Sequence, residues 1–242
     1  MELAPGIHRI GAGTINAYLV EEAGSVTIVD AGLSGYWGDL PGELKAMGRS
    51  LDDVRAVVLT HAHSDHIGFA ERIRSERGVG IRIHADDAAL ARGEIATSAR
   101  GWGKWRLGAV LGFALLGLRK GGLRTVPIKE VITFGDGATL DVPGAPRVIH
   151  VPGHSPGSAA LLVTAKSALF VGDALATYSV LSGARGPMIA PFSADPEQAL
   201  GSLSRLGGLD ASLVLPGHGE PWTGGIDLAI AAVRASFVPV RS

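Results

Sequence analysis

The stretch "LTHAHSDHIGF" at residues 59–69 follows the apolar run "VRAVVL" and places His61, His63, Asp65 and His66 within six residues. In an extended segment, side chains two apart share a face, so His61 and His63 converge on one point. Asp65 and His66 follow where the chain should turn into a helix, and they aim at a point beside the first. The spacing H-x-H-x-D-H therefore suits two neighbouring metal ions better than one. Six residues cannot complete two coordination spheres, because a catalytic zinc typically takes about three protein ligands and leaves a position for water.

Further donors are present in suitable settings. His154 in "VPGHSPGS", Asp173 in "LFVGDAL" and His218 in "VLPGHGE" each follow a strand-like run and lie beside glycine, which lets the backbone turn sharply or approach closely. The chain has no cysteine. Disulfides are thereby excluded, and any metal falls to His, Asp or Glu.

Working outward, "GIHRI", "INAYLVE" and "SVTIVD" read as strands separated by glycine-containing turns. "DLPGELKAM" reads as a helix, "GFAERIRSERG" as another stopped at Gly78, and "VGIRIHA" as a strand before the helix start "DDAALARG". Beyond residue 125, "TVPIKEVITF", "PRVIHVPG", "SAALLVTA", "SALFVGD" and "ASLVLPGHG" are strand-like. "DPEQALGSLSRL" opens a helix capped by Asp195, and "GIDLAIAAVRA" is a last helix. No linker, repeat or low-complexity tract divides the chain, so a single domain over 1–242 is expected, two sheets packed together with helices outside. An apolar, helical insertion is expected at about 97–125. Its core, 102–119, reads as a helix pair, either ordinary core or a dimer contact, or else a lid for an apolar acyl group.

The 242 residues suffice for a large core, with 46% hydrophobic and 19% charged residues. A net charge of −1 gives no reason to expect nucleic acid or an acidic membrane as the main partner. The longest apolar run, "LGAVLGFALLGL", is 12 residues, against roughly 20 for a membrane span. The start of the chain lacks the pattern of a secretory signal, so a cytoplasmic location is expected.

The full set, "HAHSDH", "PGHSPGS", "FVGD" and "PGHG", with "IVDAG" near the start, resembles the metallo-β-lactamase superfamily over nearly the whole chain. The resemblance implies an α/β fold, a four-layer αββα sandwich of two mixed β-sheets flanked by helices. It implies that His61, His63 and His154 hold a first metal, that Asp65, His66 and His218 hold a second, and that Asp173 bridges them. Asp30 would support the site without being a ligand. Two divalent ions are implied, zinc first, with iron or manganese also accepted by such ligands. The expected partner is a small-molecule substrate, with no nucleic acid and no membrane span, and a homodimer stays open.

The expected reaction is hydrolysis by a hydroxide shared between the metals, with Asp65 orienting it and Asp173 holding the pair together. Tyr178, five residues after Asp173, is a candidate proton donor, although in lactonases of the superfamily the tyrosine follows the bridging aspartate more closely. The superfamily's β-lactamases have no aspartate at the bridging position, which ranks β-lactams low. Its hydroxyacylglutathione hydrolases usually carry a longer helical part after the last ligand, where this chain has 24 residues after His218. Phosphodiester hydrolysis also ranks low, since the near-neutral charge offers no basic exosite. An ester, lactone or thioester of a small molecule remains. The alternative is an iron-dependent oxygenase or persulfide dioxygenase on the same fold. His8, His84 and His150 read as structural histidines, His150 with an option on supporting His154. Thr60 either orients a ligand or ends a strand.

Overall fold

Alternate residues of the run "ALFVG" face opposite ways. Leu169 and Val171 belong to one apolar cluster with Leu203, Val214 and Val233, whereas Ala168 and Phe170 belong to another with Tyr18, Val58 and Leu161. A strand buried on both faces has to lie inside a layered structure, which explains why it reads as a continuous apolar run. The computed structural model describes residues 1–98, 101–122 and 126–237.

The first sheet has seven strands in chain order: β1 (Glu2–Ala4), β2 (Ile7–Ile10), β3 (Ala17–Glu22), β4 (Ser25–Val29), β5 (Val54–Val58), β6 (Gly80–His84) and β7 (Ile132–Phe134). The pairs up to β3–β4 are antiparallel, and those from β4–β5 onward are parallel. Parallel neighbours need crossovers. These carry the helices α1 (Leu40–Ala46), α2 (Ala70–Arg77) and α3 (Ala88–Ala91). Gly78 closes α2 in the left-handed conformation at φ 68°, where glycine avoids a Cβ clash.

The second sheet uses β8 (Arg147–His150), β9 (Ala159–Val163) and β10 (Ala168–Gly172), followed after the small hairpin β11 (Ala176–Tyr178) and β12 (Arg185–Met188) by β13 (Leu213–Pro216). Its spatial order is β13-β10-β9-β8, antiparallel except for β10–β13. Three further helices are α4 (Leu107–Arg119), α5 (Pro196–Ser202) and α6 (Ile226–Ser236). The Asp195 side chain accepts the Gln198 N–H at the start of α5.

Three apolar clusters define the layers. One joins the first sheet to α1, α2 and α3, one lies between the sheets, and one joins the second sheet to α5 and α6. The result is the expected α/β/β/α order. Because β4 and β5 are parallel, and β10 and β13 are parallel, the chain leaves each pair at one edge. The loops bearing the chemistry leave from there.

Two features differ from the sequence expectation. The insertion at about 97–125 contains, among the described residues, one helix, α4, rather than a pair; none of its side chains is fully buried, and Phe113 and Leu116 pack half-buried against the first core cluster. Residues 99–100 and 123–125 of that expectation lie outside the described residues. The β11–β12 hairpin was not anticipated, because "ATY" and "RGPM" are too short to show a period of two.

Candidate metal centre

β4 delivers Asp30 and β5 delivers the segment from Thr60 to His66 to the same edge. Asp30 sits at φ 60°, an unfavourable conformation for a residue with a Cβ that costs about 1–3 kcal/mol. Three bonds offset it. One carboxylate oxygen accepts the Thr60 N–H at 2.8 Å, and the other accepts the Thr60 hydroxyl at 2.9 Å and His66 Nδ1 at 3.0 Å.

Such bonds fix which nitrogen each imidazole presents to the centre. His66 donates Nδ1–H to Asp30, and His218 donates Nδ1–H to the Thr14 carbonyl at 2.5 Å. Thr60 spends its proton on Asp30, so it accepts from His61 Nδ1 at 3.0 Å. Ser193 donates to the Ala190 carbonyl, so it accepts from His154 Nδ1 at 3.1 Å. Four rings thus turn Nε2 inward. His63 is reversed, with Nε2 3.2 Å from Thr97 Oγ1 and Nδ1 2.8 Å from His154 Nε2.

Around this point Asp173 lies with its oxygens 3.5 Å from His66 Nε2, 3.4 Å from His154 Nε2 and 3.1 Å from His218 Nε2. Asp65 lies 3.4 Å from His218 Nε2. The donor atoms of His61–His63–His154, of His61–His66–Asp173 and of Asp65–His66–His218 fall within 4.8 Å of one another in each group. All seven residues that the sequence singled out as ligands are therefore brought together. Tyr178 is not: its ring lies under the Arg185 guanidinium, 5.5 Å away, and it does not line the cavity above the cluster.

The cluster divides electrostatically. Burial, reinforced by neighbouring imidazoles, holds His61 well below the usual histidine range and His154 at about 3. Both stay neutral with a lone pair available. Burial opposes charge on His66 and His218 more than any single neighbour favours it, but Asp173 and the other carboxylates together outweigh it. With Asp30 and Asp65 adding to the pull, His66 is raised to about 9, and His218 is held well above the ordinary value. Asp173 and Asp65 are kept below the usual carboxylate range, against burial, by those same histidines.

His61 Nε2, His66 Nε2 and Asp173 Oδ1 are buried without a hydrogen-bond partner. Leaving a buried polar atom unpaired costs about 1–3 kcal/mol, and three at one point, all of them good ligands, call for a cation. Backbone approach is correspondingly tight. A Cβ on Gly217 would meet Asp173 Oδ1 and His66 Cε1.

The sequence did not reveal Asp87. Fully buried, it accepts the Ala62 N–H at 2.9 Å, the Ser155 hydroxyl at 2.7 Å and the Gly157 N–H at 2.6 Å. It thereby ties the His61–His63 loop to the His154 loop. In "HADD" it reads as a helix start, and that reading hides the longer-range role. His84 and His150 stack at 4.1 Å near Asp86, and His150 Nε2 donates to the Pro156 carbonyl at 2.8 Å. This second cluster braces the loop after His154.

A family model described as the metallo-β-lactamase superfamily matches residues 10–218. The chain belongs to the metallo-β-lactamase superfamily. Among similar proteins, the probable metallo-hydrolase YflN of Bacillus subtilis is 30% identical over 92% of this chain and 87% of its own length. A metallo-β-lactamase family protein of Thermus thermophilus, TTHA1429, superposes with a TM-score of 0.68 at 25% identity, over 97% of this chain and 81% of that one. TTHA1623, solved in a di-iron-bound form, superposes with a TM-score of 0.60 at 26% identity, over 92% and 96%. A superfamily member with these clustered donors is suited to holding divalent metal.

Two outcomes follow from the geometry. Asp87→Ala should lower divalent-ion affinity roughly 10–100-fold in chelator competition, with the chain still folded; unchanged affinity would show that the two loops need no tie. In the metal-free protein His66 and His218 carry protons at pH 7, and an ion at Asp65–His66–His218 must displace them. Its affinity should rise with pH up to about 9, the value for His66, and fall below it, with about two protons released per ion. Calorimetry in buffers of different ionisation enthalpy measures this, and heats independent of the buffer would contradict it.

Proposed function

We propose that the protein is a dinuclear metal-dependent hydrolase acting on a small-molecule ester, lactone or thioester with an apolar acyl group. The observation that carries this reading is the position of the unpaired donors. Asp173, which carries one of them, lines a cavity of about 770 Å³ that Asp65, His154 and His218 share with Ile15, Leu33, Leu90, Phe113, Val180 and Phe192. In this reading His61, His63 and His154 would hold one ion, Asp65, His66 and His218 would hold the other, and Asp173 would serve both.

When bound, such a pair supplies a water acidified toward a pKa of ~7 and a Lewis acid for the carbonyl oxygen. The chain's own residues do the rest. Asp65, its carboxylate facing both His218 and the cavity, orients the nucleophile's proton. The apolar wall seats the acyl chain and keeps other water away from the reacting carbonyl. Neither a serine nor a cysteine nucleophile is needed, so no covalent acyl-enzyme forms.

A second reading has its own support. A His/Asp donor set accepts iron as well as zinc, and the similar TTHA1623 was solved in a di-iron-bound form. An iron-dependent oxygenase would consume dioxygen, and the hydrolase would not.

The test is a series of acyl esters, lactones and thioesters of increasing chain length. Turnover should depend on divalent metal, kcat/KM should rise with chain length, and Asp173→Asn should lower it roughly 100-fold or more. Activity independent of chain length would remove the acyl specificity. Dioxygen consumption without hydrolysis would favour the second reading.

A further inference from the structure

We propose that the outer face of α4 docks on an anionic membrane surface. Among the described residues, seven of the ten large apolar side chains left exposed lie between Ile95 and Val126. Four belong to α4: Leu107, Leu111, Leu115 and Leu118, which are 75%, 58%, 48% and 64% exposed. At 3.6 residues per turn these leucines fall within an arc of about 80°. Phe113, Ala114, Gly117 and Leu118 line the cavity over the metal centre. One side of α4 thus serves the protein interior, Leu118 lies at the cavity's rim, and Leu107, Leu111 and Leu115 present a leucine stripe to the outside.

The charge around this stripe says what covers it. The 35 residues from Ile95 to Lys129 contain seven Lys and Arg and no Asp or Glu, leaving 15 basic against 23 acidic residues in the rest of the chain. Lys104, Arg106 and Arg119 are exposed and flank the helix at both ends. Lys120 is the exception, paired with Asp39 at 2.7 Å. Trp105, 59% exposed, stands two residues before Leu107, where an amphipathic ring suits a lipid headgroup layer. A leucine face ringed by cations and bordered by tryptophan matches a helix lying in the plane of an anionic interface. At about 20 Å, α4 is too short to cross a bilayer, and no helix among the described residues is long and apolar enough to do so. A second copy of the chain fits less well, since a two-fold contact through this face would set one cationic ring against another. The docking does not depend on the reaction proposed above.

The test is co-sedimentation of the full chain with phosphatidylglycerol–phosphatidylcholine vesicles and with pure phosphatidylcholine vesicles. Binding should be at least tenfold stronger to the anionic vesicles, and about 0.5 M salt should weaken it by shortening the screening length. Arg106→Ala and Arg119→Ala should each reduce it about fivefold. Leu111→Glu combined with Leu115→Glu should abolish it, with circular dichroism and thermal midpoint unchanged, because both side chains are exposed. No binding to anionic vesicles by the folded wild-type chain would overturn the proposal. So would a lipid-free dimer that this double variant converts to a monomer, since the stripe would then be covered by a second copy.

Discussion

Asp173 is the residue on which the rest of the site depends. It is buried, its Oδ1 has no hydrogen-bond partner, and its other oxygen lies between His154 and His218. A carboxylate so placed is tolerable only beside compensating positive charge. In the metal-free chain the protons on His66 and His218 supply that charge, and a divalent ion supplies it better. The surrounding hydrogen bonds, from Asp30 through Thr60 to His61 and His66, and from Ser193 to His154, keep each ring turned so that its lone pair faces the same point.

The layered sandwich makes this convergence possible. Parallel pairs in each sheet release Asp30, the Thr60–His66 segment, Asp173 and His218 at one edge, and Gly217 N–H bonding the Gly172 carbonyl at 2.8 Å keeps the last two loops adjacent. The same edge is covered by α4, which joins the cavity to the exposed leucines and to the exposed Lys104, Arg106 and Arg119.

Much of this was legible in the sequence. The residues that cluster at the candidate centre could be read because metal chemistry restricts residue types and spacing so strongly, and the strands because burial on two faces leaves runs such as "ALFVG". The Asp195 cap and the Gly78 stop are local signals, and they appear where such signals should. Asp87 was hidden because its three partners are 25 to 70 residues away. Tyr178 was suggested by its distance from Asp173 along the chain, but the hairpin that carries it turns its ring toward Arg185. For α4 the sequence left core, dimer contact and lid open, because apolar composition alone does not say whether a partner layer exists. Only the fold shows that, among the described residues, Leu107, Leu111 and Leu115 stay exposed.

The measurement that tests the central claim most directly is elemental analysis of the purified chain, without added metal, beside a His61→Ala variant. About two divalent ions per wild-type chain, with at least one lost from the variant, is the result this account predicts. A folded wild-type chain that holds no metal, and takes up none when zinc, iron or manganese is supplied, would contradict it.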